Sequence, residues 1–376
     1  MIKLKKFKLN LPITICILMF MITSILTIYS SMLYLPSYLG NLAFKQFLFY
    51  LIGFILILLF IKISNQTLYQ YAWYIYMTNI ILLFLLLLIG TPINGSKCWF
   101  IIPGIGSFQP SEFMKIGLII LASVVTSKWI ENYKKASLKN EIILLLKIGL
   151  IFLIPSILTF LEPDTGAVFI YSIIIISILW VSPLRKRWFI IGVVSVLLLA
   201  GVFLAIYFFK QDLFVDIFGT DLFYRIDRLL DWKNGTGMQL ENSLTAIGSS
   251  GILGHGYRNT PIYFPESGTD FIFAVYASNF GFIGSVFLIL LIFYFDYSLI
   301  KLFKDVANVR DKLVISGIIG MLLYQQFQNI GMTLGILPIT GITLPFISYG
   351  GSSLLSYLVI LALILNIYHD SHKTIN

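Results

Sequence analysis

The chain alternates between long apolar stretches and short polar interruptions. About ten apolar runs stand out, at roughly 12–33, 45–63, 70–90, 111–128, 141–161, 164–182, 187–209, 271–299, 313–336 and 345–368. A helix needs about 20 mainly apolar residues to cross a bilayer. At these lengths only a helix satisfies its own backbone in lipid. The pattern therefore predicts an all-α, polytopic membrane protein with about ten transmembrane helices, forming one domain over 1–376. Most connections are short. The exception, about 210–270 between spans 7 and 8, is too long for a simple turn, and loops of this length are usually functional or disordered. Within it, "DLFYRIDRLLDW" carries apolar residues at helical spacing and predicts a short amphipathic helix near the interface. The following "NSLTAIGSSGILGHGY" is rich in Gly and Ser yet apolar, which suits a tight backbone path near a ligand.

Composition agrees. Of the 376 residues, 58% are hydrophobic and 11% charged, against roughly 25% charged in an average globular chain. The net charge of +9 raises the question of nucleic acid until it is placed on the topology. With "KLKKFK" inside, the inner loops read "KWIENYKKASLK", "RKR" and "KLFKDVANVRDK", and the tail "HDSHK". That is the positive-inside pattern, with both termini cytoplasmic and 210–270 extracytoplasmic. The charge orients the protein, and no nucleic-acid partner is expected. The first apolar run is too long for a cleaved signal peptide and reads as the first span. Cys16 and Cys98 read as free thiols. There is no Walker A loop, so no nucleotide is expected, and any reaction draws its energy from its substrate or from a gradient.

Four features carry residues that lipid does not want, and the topology puts all four outside. "YFPESGTDFIFAV" sets Glu266 and Asp270 at the start of span 8. "GTPINGSKCWFIIPGIGSFQPSEFMKIG" ends with Pro110 opening a helix, with Glu112 and Lys115 on one face. "FLEPDTGAVF" holds Glu162 and Asp164 in a very short turn, and "GILPITGITLPFISYGGSSLL" breaks helices near the outer surface. Such breaks are tolerated where they line a cavity or are buried in protein. Each acid also has a bland reading. Asp270 or Asp164 could cap a helix N-terminus, Glu112–Lys115 could be a structural ion pair, and Glu266 could merely contact water.

With these residues assembled, the chain resembles the SEDS family, the RodA, FtsW and SpoVE proteins of bacterial wall growth, division and sporulation. The resemblance covers essentially the whole chain. It is carried by "GSKCWFIIPGIGSFQPSEFMKIG", "EPDTGAVF", "NSLTAIGSSGILGHG", "PESGTDFIFAV" and "QNIGMTLGILPITGITLPFISYGGSSLL", and the last is more similar to RodA than to FtsW. It implies a peptidoglycan glycosyltransferase in the bacterial cytoplasmic membrane, with its site facing outside. Such an enzyme polymerises lipid II into glycan strands beside a class B penicillin-binding protein. Asp270 matches the family's essential acid, Glu112 and Lys115 the pair of its "PSE..K" helix, and Asp164 the acid of its "PD.G" turn. The departures are Cys98, where the family usually has Arg before Trp, and Ser278 and Asn279, where it usually has acids.

On that reading, Asp270 is the candidate general base for the acceptor hydroxyl. The leaving diphosphate needs positive charge. Lys115, oriented by Glu112, is one source, and Arg225, Arg228 and Arg258 are alternatives. A divalent cation, magnesium or manganese, held by outer carboxylates such as Asp164 could do the same work, although no metal-ligand spacing marks one. Glu266 could share the site and raise its neighbour's pKa. Two other classes remain open on the residues alone: a flippase for lipid-linked precursors, and a non-catalytic scaffold that recruits wall enzymes.

Overall fold

The computed structural model describes residues 8–34, 40–91, 97–102, 106–133, 137–220, 223 and 238–372. The helices among them are α1 (Leu11–Ser31), α2 (Leu42–Phe60), α3 (Asn65–Gln70), α4 (Ala72–Ile89), α5 (Pro110–Asn132), α6 (Leu138–Leu161) and α7 (Thr165–Val181). They continue with α8 (Arg187–Phe209), α9 (Gln211–Phe218), α10 (Met238–Gly248), α11 (Ile272–Asp305), α12 (Val309–Thr333) and α13 (Gly351–Ser371). Every one of the ten apolar runs coincides with a helix. Eight helices are long and apolar enough to cross a membrane, so the protein is a polytopic membrane protein. The other two differ for physical reasons. α7 has only 17 residues, and α12 carries Arg310, Asp311 and Lys312 in its first turn and four amides near its end.

The all-α expectation has one exception. β1 (Phe100–Ile102) and β2 (Gly106–Phe108) form a small antiparallel hairpin, with Ile101 opposite Ser107. Its two three-residue strands are shorter than any periodicity could reveal. In the long connection between α8 and α11, α9 and α10 are helical, while most of "DLFYRIDRLLDW", including Arg225 and Arg228, lies outside the described residues.

α5 lies at the centre of the bundle and packs on α3, α4, α6, α7, α12 and α13. Of its apolar window 78% is buried, against 72% for α13 and none for α8. α8 packs mainly on α9, through a cluster in which Phe203 and Tyr207 meet Phe214 edge-on. Its N-terminal base is fixed instead by Glu141 of α6. That fully buried carboxylate accepts from Arg185 Nε at 2.8 Å, Arg187 Nη2 at 3.4 Å and Trp188 Nε1 at 2.9 Å.

At 34 residues, α11 would be roughly 51 Å long if straight, well beyond a hydrocarbon core of about 30 Å. It is interrupted at Gly281 (φ 64°, ψ −160°). There the loop after α10 plugs the gap. His255 N donates to Ser278 O (2.9 Å), Gly256 N to Asn279 O (3.1 Å), and Phe282 N to Gly251 O (3.0 Å). A broken helix leaves orphan backbone groups, and this loop satisfies them. The approach requires glycine on both sides. A Cβ on Gly281 would lie 2.3 Å from Gly254 N, and one on Gly254 2.3 Å from Asn279 O.

Candidate active site

Asp270 lies one residue before the cap of α11. It does not cap the helix: the N-cap is Phe271, with no side-chain bond. Its position is set through the main chain. Asn329 of α12 donates from Nδ2 to Asp270 O (2.8 Å) and to Ile342 O (2.7 Å). One buried amide thus ties the acid's backbone to the "LPITGITLPF" segment that breaks between α12 and α13.

That segment is a buried re-entrant bend. Ile342, Leu344, Phe346 and Ile347 are all buried, and Phe346 takes φ 65°, an outlier for a bulky residue. Its carbonyls are met from α1 and α2. Tyr50 Oη donates to Phe346 O, Ser24 Oγ to Ile347 O (2.7 Å), and Gln46 Nε2 to Ser348 O (3.1 Å). Ser348 Oγ donates to Thr269 O (2.7 Å), and Tyr349 N to Gly268 O (2.9 Å). The bend and the Asp270 turn are therefore one hydrogen-bonded unit. Gly341 (φ 69°) leaves room beneath the acid, since a Cβ there would lie 3.5 Å from Asp270 Oδ2.

The Asp270 carboxylate is half-buried, and no hydrogen bond reaches its oxygens from the described residues. Burial, then the nearby charge of Glu266, push its pKa up to about 7. Glu266 is exposed and left-handed (φ 54°), and accepts from Thr269 Oγ1 at 2.5 Å.

A second group of charges sits where α5 and α7 begin. Lys115 Nζ lies 2.5 Å from Glu112 Oε2; the lysine side chain is 0% exposed and the glutamate 12%. Ser356 Oγ of α13 also donates to Glu112 (3.3 Å), and the ammonium stands 5.0 Å from the centre of the Tyr357 ring. Lys115 is thus closed beneath Glu112. Asp164 caps α7 through Oδ1, which accepts from Ala167 N (3.1 Å). Its Oδ2 accepts from Gln109 Nε2 (3.0 Å) and Ser111 Oγ (2.9 Å). Burial raises its pKa.

Both Asp164 oxygens therefore hold protein groups. Among the described residues, no three His, Cys, Asp or Glu gather to hold a metal ion. Among the described residues this donor set does not fit a resident divalent cation.

Glu162 is the outlier. It is fully buried, and neither carboxyl oxygen has a hydrogen-bond partner among the described residues. The next residue, Pro163, is held at φ 35°. Burial, then Asp164, push the Glu162 pKa up to about 8, so the acid is mainly neutral at pH 7. Its folded pKa exceeds the unfolded value of about 4.3. The folded protein then binds the extra proton between about pH 4 and 8, and stability falls as pH rises through that window. Glu162→Gln is expected to remove that dependence. It should stabilise by about 1–3 kcal/mol at pH 8 and by much less at pH 5, as read by thermal melts. Equal effects at both pH values would refute the neutral-acid assignment.

The departures have structural roles here. Cys98 is buried, and its Sγ lies 2.9 Å from Glu162 O. Ser278 and Asn279 serve the plug in α11. His255 Nδ1 lies 3.2 Å from Ser278 Oγ. Asn279 Nδ2 donates to Ser30 Oγ (2.6 Å), and its Oδ1 accepts from Thr260 Oγ1 (3.2 Å). Arg258 is exposed and stacks on Tyr29 of α1. The residues that sequence reasoning missed are Asn329, Gln46 and Ser348. The available signal was amides inside apolar runs, notably "YQQFQN", because a polar group in lipid needs a partner.

Comparison with known proteins bears on the fold and the family. FtsW of Haemophilus influenzae, a probable peptidoglycan glycosyltransferase, is 31% identical over 93% of this chain and 86% of its own length. The crystal structure of the rod shape determining protein RodA of Thermus thermophilus superposes with a TM-score of 0.71 at 25% identity, covering 98% of this chain and 99% of that one. A chain from a peptidoglycan synthase complex, solved for its coordination of polymerization and crosslinking, shares the fold. Its TM-score is 0.79 at 24% identity, over 97% and 99% of the two chains. The model of the FtsW/RodA/SpoVE cell cycle proteins matches residues 9–373, and this chain belongs to that family.

Proposed function

We propose that the protein is a peptidoglycan glycosyltransferase that polymerises lipid II at the outer face of the bacterial cytoplasmic membrane, with Asp270 as the general base. The observation that carries this reading is the carboxylate itself. It is accessible, free of protein hydrogen bonds among the described residues, and pushed up to about 7, where a base is poised for work at neutral pH. Its backbone is locked by Asn329, so the acid is held while its oxygens stay available. The carboxylate takes the proton of the acceptor's sugar hydroxyl as that oxygen attacks the donor's anomeric carbon. The bond to the lipid diphosphate breaks on the opposite side, with inversion and no covalent intermediate. Arg225 and Arg228 on the long loop are the proposed positive charge for the departing diphosphate, because Lys115 is closed beneath Glu112 and Arg258 stands over Tyr29, on a groove that Asp270 does not line.

The same reading takes ten spans, both termini cytoplasmic, one domain over 1–376 and an extracytoplasmic loop over 210–270. The similarity to a synthase-complex chain supports a class B penicillin-binding protein as the crosslinking partner. The motif "QNIGMTLGILPITGI" favours elongation, in the manner of RodA. The test is strand formation from purified lipid II by the protein with such a partner. Strands support the reading. No strands from folded protein, with precursor crossing liposome membranes, would replace it with a flippase. Rescue of rod shape in RodA-depleted cells, rather than of septation in FtsW-depleted cells, checks the elongation role.

A further inference from the structure

At the end of the bundle that holds Asp270, α1 and α2 diverge and leave a groove of about 340 Å³, within the size range of small-molecule sites. The groove shares this end because Gly268 of the Asp270 turn packs against Ser31 of α1, its missing Cβ lying 3.1 Å from Ser31 Oγ. The walls are Ile25 and Leu26 of α1 and Phe44 and Phe47 of α2, and the rim carries Tyr29, Asn41 and Tyr257. Asp270 does not line it.

Above the rim, the Arg258 guanidinium stands 4.5 Å from the centre of the Tyr29 ring, with Nη1 3.4 Å from Tyr29 Oη. No carboxylate pairs with this guanidinium among the described residues. Its backbone is left-handed (φ 63°), a conformation uncommon for a residue with a long side chain. The turn is closed by Asn259 N donating to Gly256 O (3.2 Å), and Gly256 N is itself anchored on Asn279 O (3.1 Å). Tyr257 stacks on Phe280, ring centres 6.4 Å apart. The plug in α11 therefore presents a cation and the Tyr257 ring, beside Tyr29 of α1, over an apolar trough.

We propose that this groove binds an anionic phospholipid of the surrounding leaflet, with an acyl chain in the trough and its phosphate on Arg258. The charge complementarity is specific. Arg offers a planar fork to phosphate oxygens, tyrosines sit well at the level of lipid headgroups, and the walls match a hydrocarbon chain. The proposal does not depend on the glycosyltransferase reading.

The test is native mass spectrometry of the full chain in detergent, titrated with phosphatidylglycerol or phosphatidylcholine. Wild type is expected to prefer phosphatidylglycerol. Arg258→Asn removes the charge with a residue that suits the left-handed backbone. It should weaken phosphatidylglycerol binding roughly five-fold and phosphatidylcholine binding by less, because choline offsets the same phosphate charge, while Arg258→Lys keeps most of the preference. Without any variant, phosphatidylglycerol binding to wild type should weaken as salt rises. Equal binding of the two lipids by wild type, or phosphatidylglycerol binding that ignores both salt and Arg258→Asn, overturns the proposal. Undecaprenyl diphosphate displacing phosphatidylglycerol with tighter, Arg258-dependent binding also overturns it, because the groove would then belong to the substrate.

Discussion

Asp270→Asn is expected to lower strand formation from lipid II by about 10²–10⁴-fold, the usual worth of a positioned base, while leaving the fold intact. The fold should survive because the described residues contact this acid through its backbone, where Asn329 donates, and a change of side chain does not touch that bond. The pH profile makes the claim sharper. The acid accepts a proton only when ionised, and burial beside Glu266 pushes its pKa up to about 7. In wild type, kcat/KM should therefore rise with pH and level off above about 7, and this limb should vanish in the Asn variant. Stability runs the other way. The folded pKa exceeds the unfolded value of about 3.9, so wild type loses stability as pH rises from about 4 to 7, and Asp270→Asn flattens that loss. Strand formation within a few-fold of wild type in the Asn variant would remove Asp270 from the chemistry.

The second large effect concerns the pair at the start of α5. Glu112→Gln leaves the Lys115 ammonium buried without its counter-charge, and breaking a buried pair in this way costs about 3–5 kcal/mol. Its partner variant, Lys115→Met, leaves Glu112 with Ser356 as its remaining donor and some access to water, so the cost should be smaller. The double variant is expected to recover much of the loss, since it leaves no unpaired charge buried. Thermal melts of the four proteins in one detergent give the coupling directly. Single costs that simply add, within about 0.5 kcal/mol, would mean the two charges do not depend on each other. If strand formation falls in the double variant while stability recovers, the pair also serves the reaction.

Hydropathy located the long helices because a bilayer imposes one length on every span, which is why each of the ten apolar runs falls on a helix. The acids were visible for the same reason: charge at the edge of an apolar run is conspicuous. Their roles were not. Asp164 and Asp270 both precede a helix, and only the fold separates them, since Asp164 caps α7 and Asp270 caps nothing. Gly281 is one of several glycines in "NFGFIGSV", and nothing local marks it as the place where α11 breaks. That break exists because a loop some 30 residues earlier fits there. Asn329 is likewise anonymous in sequence, as both its acceptors lie on other segments.

The isolation of α8 has a consequence for which parts of this gene can drift. Among the described residues this helix packs mainly on α9, so its shaft asks for little beyond length and greasiness, and almost any apolar residue should serve at positions such as Val194, Leu198 or Val202, all exposed. α5, wedged among six neighbouring helices, should refuse most of the same exchanges. Random mutagenesis would then find a permissive stretch set between two intolerant ends: the Arg185–Arg187–Trp188 footing on Glu141 and the aromatic knot at Tyr207.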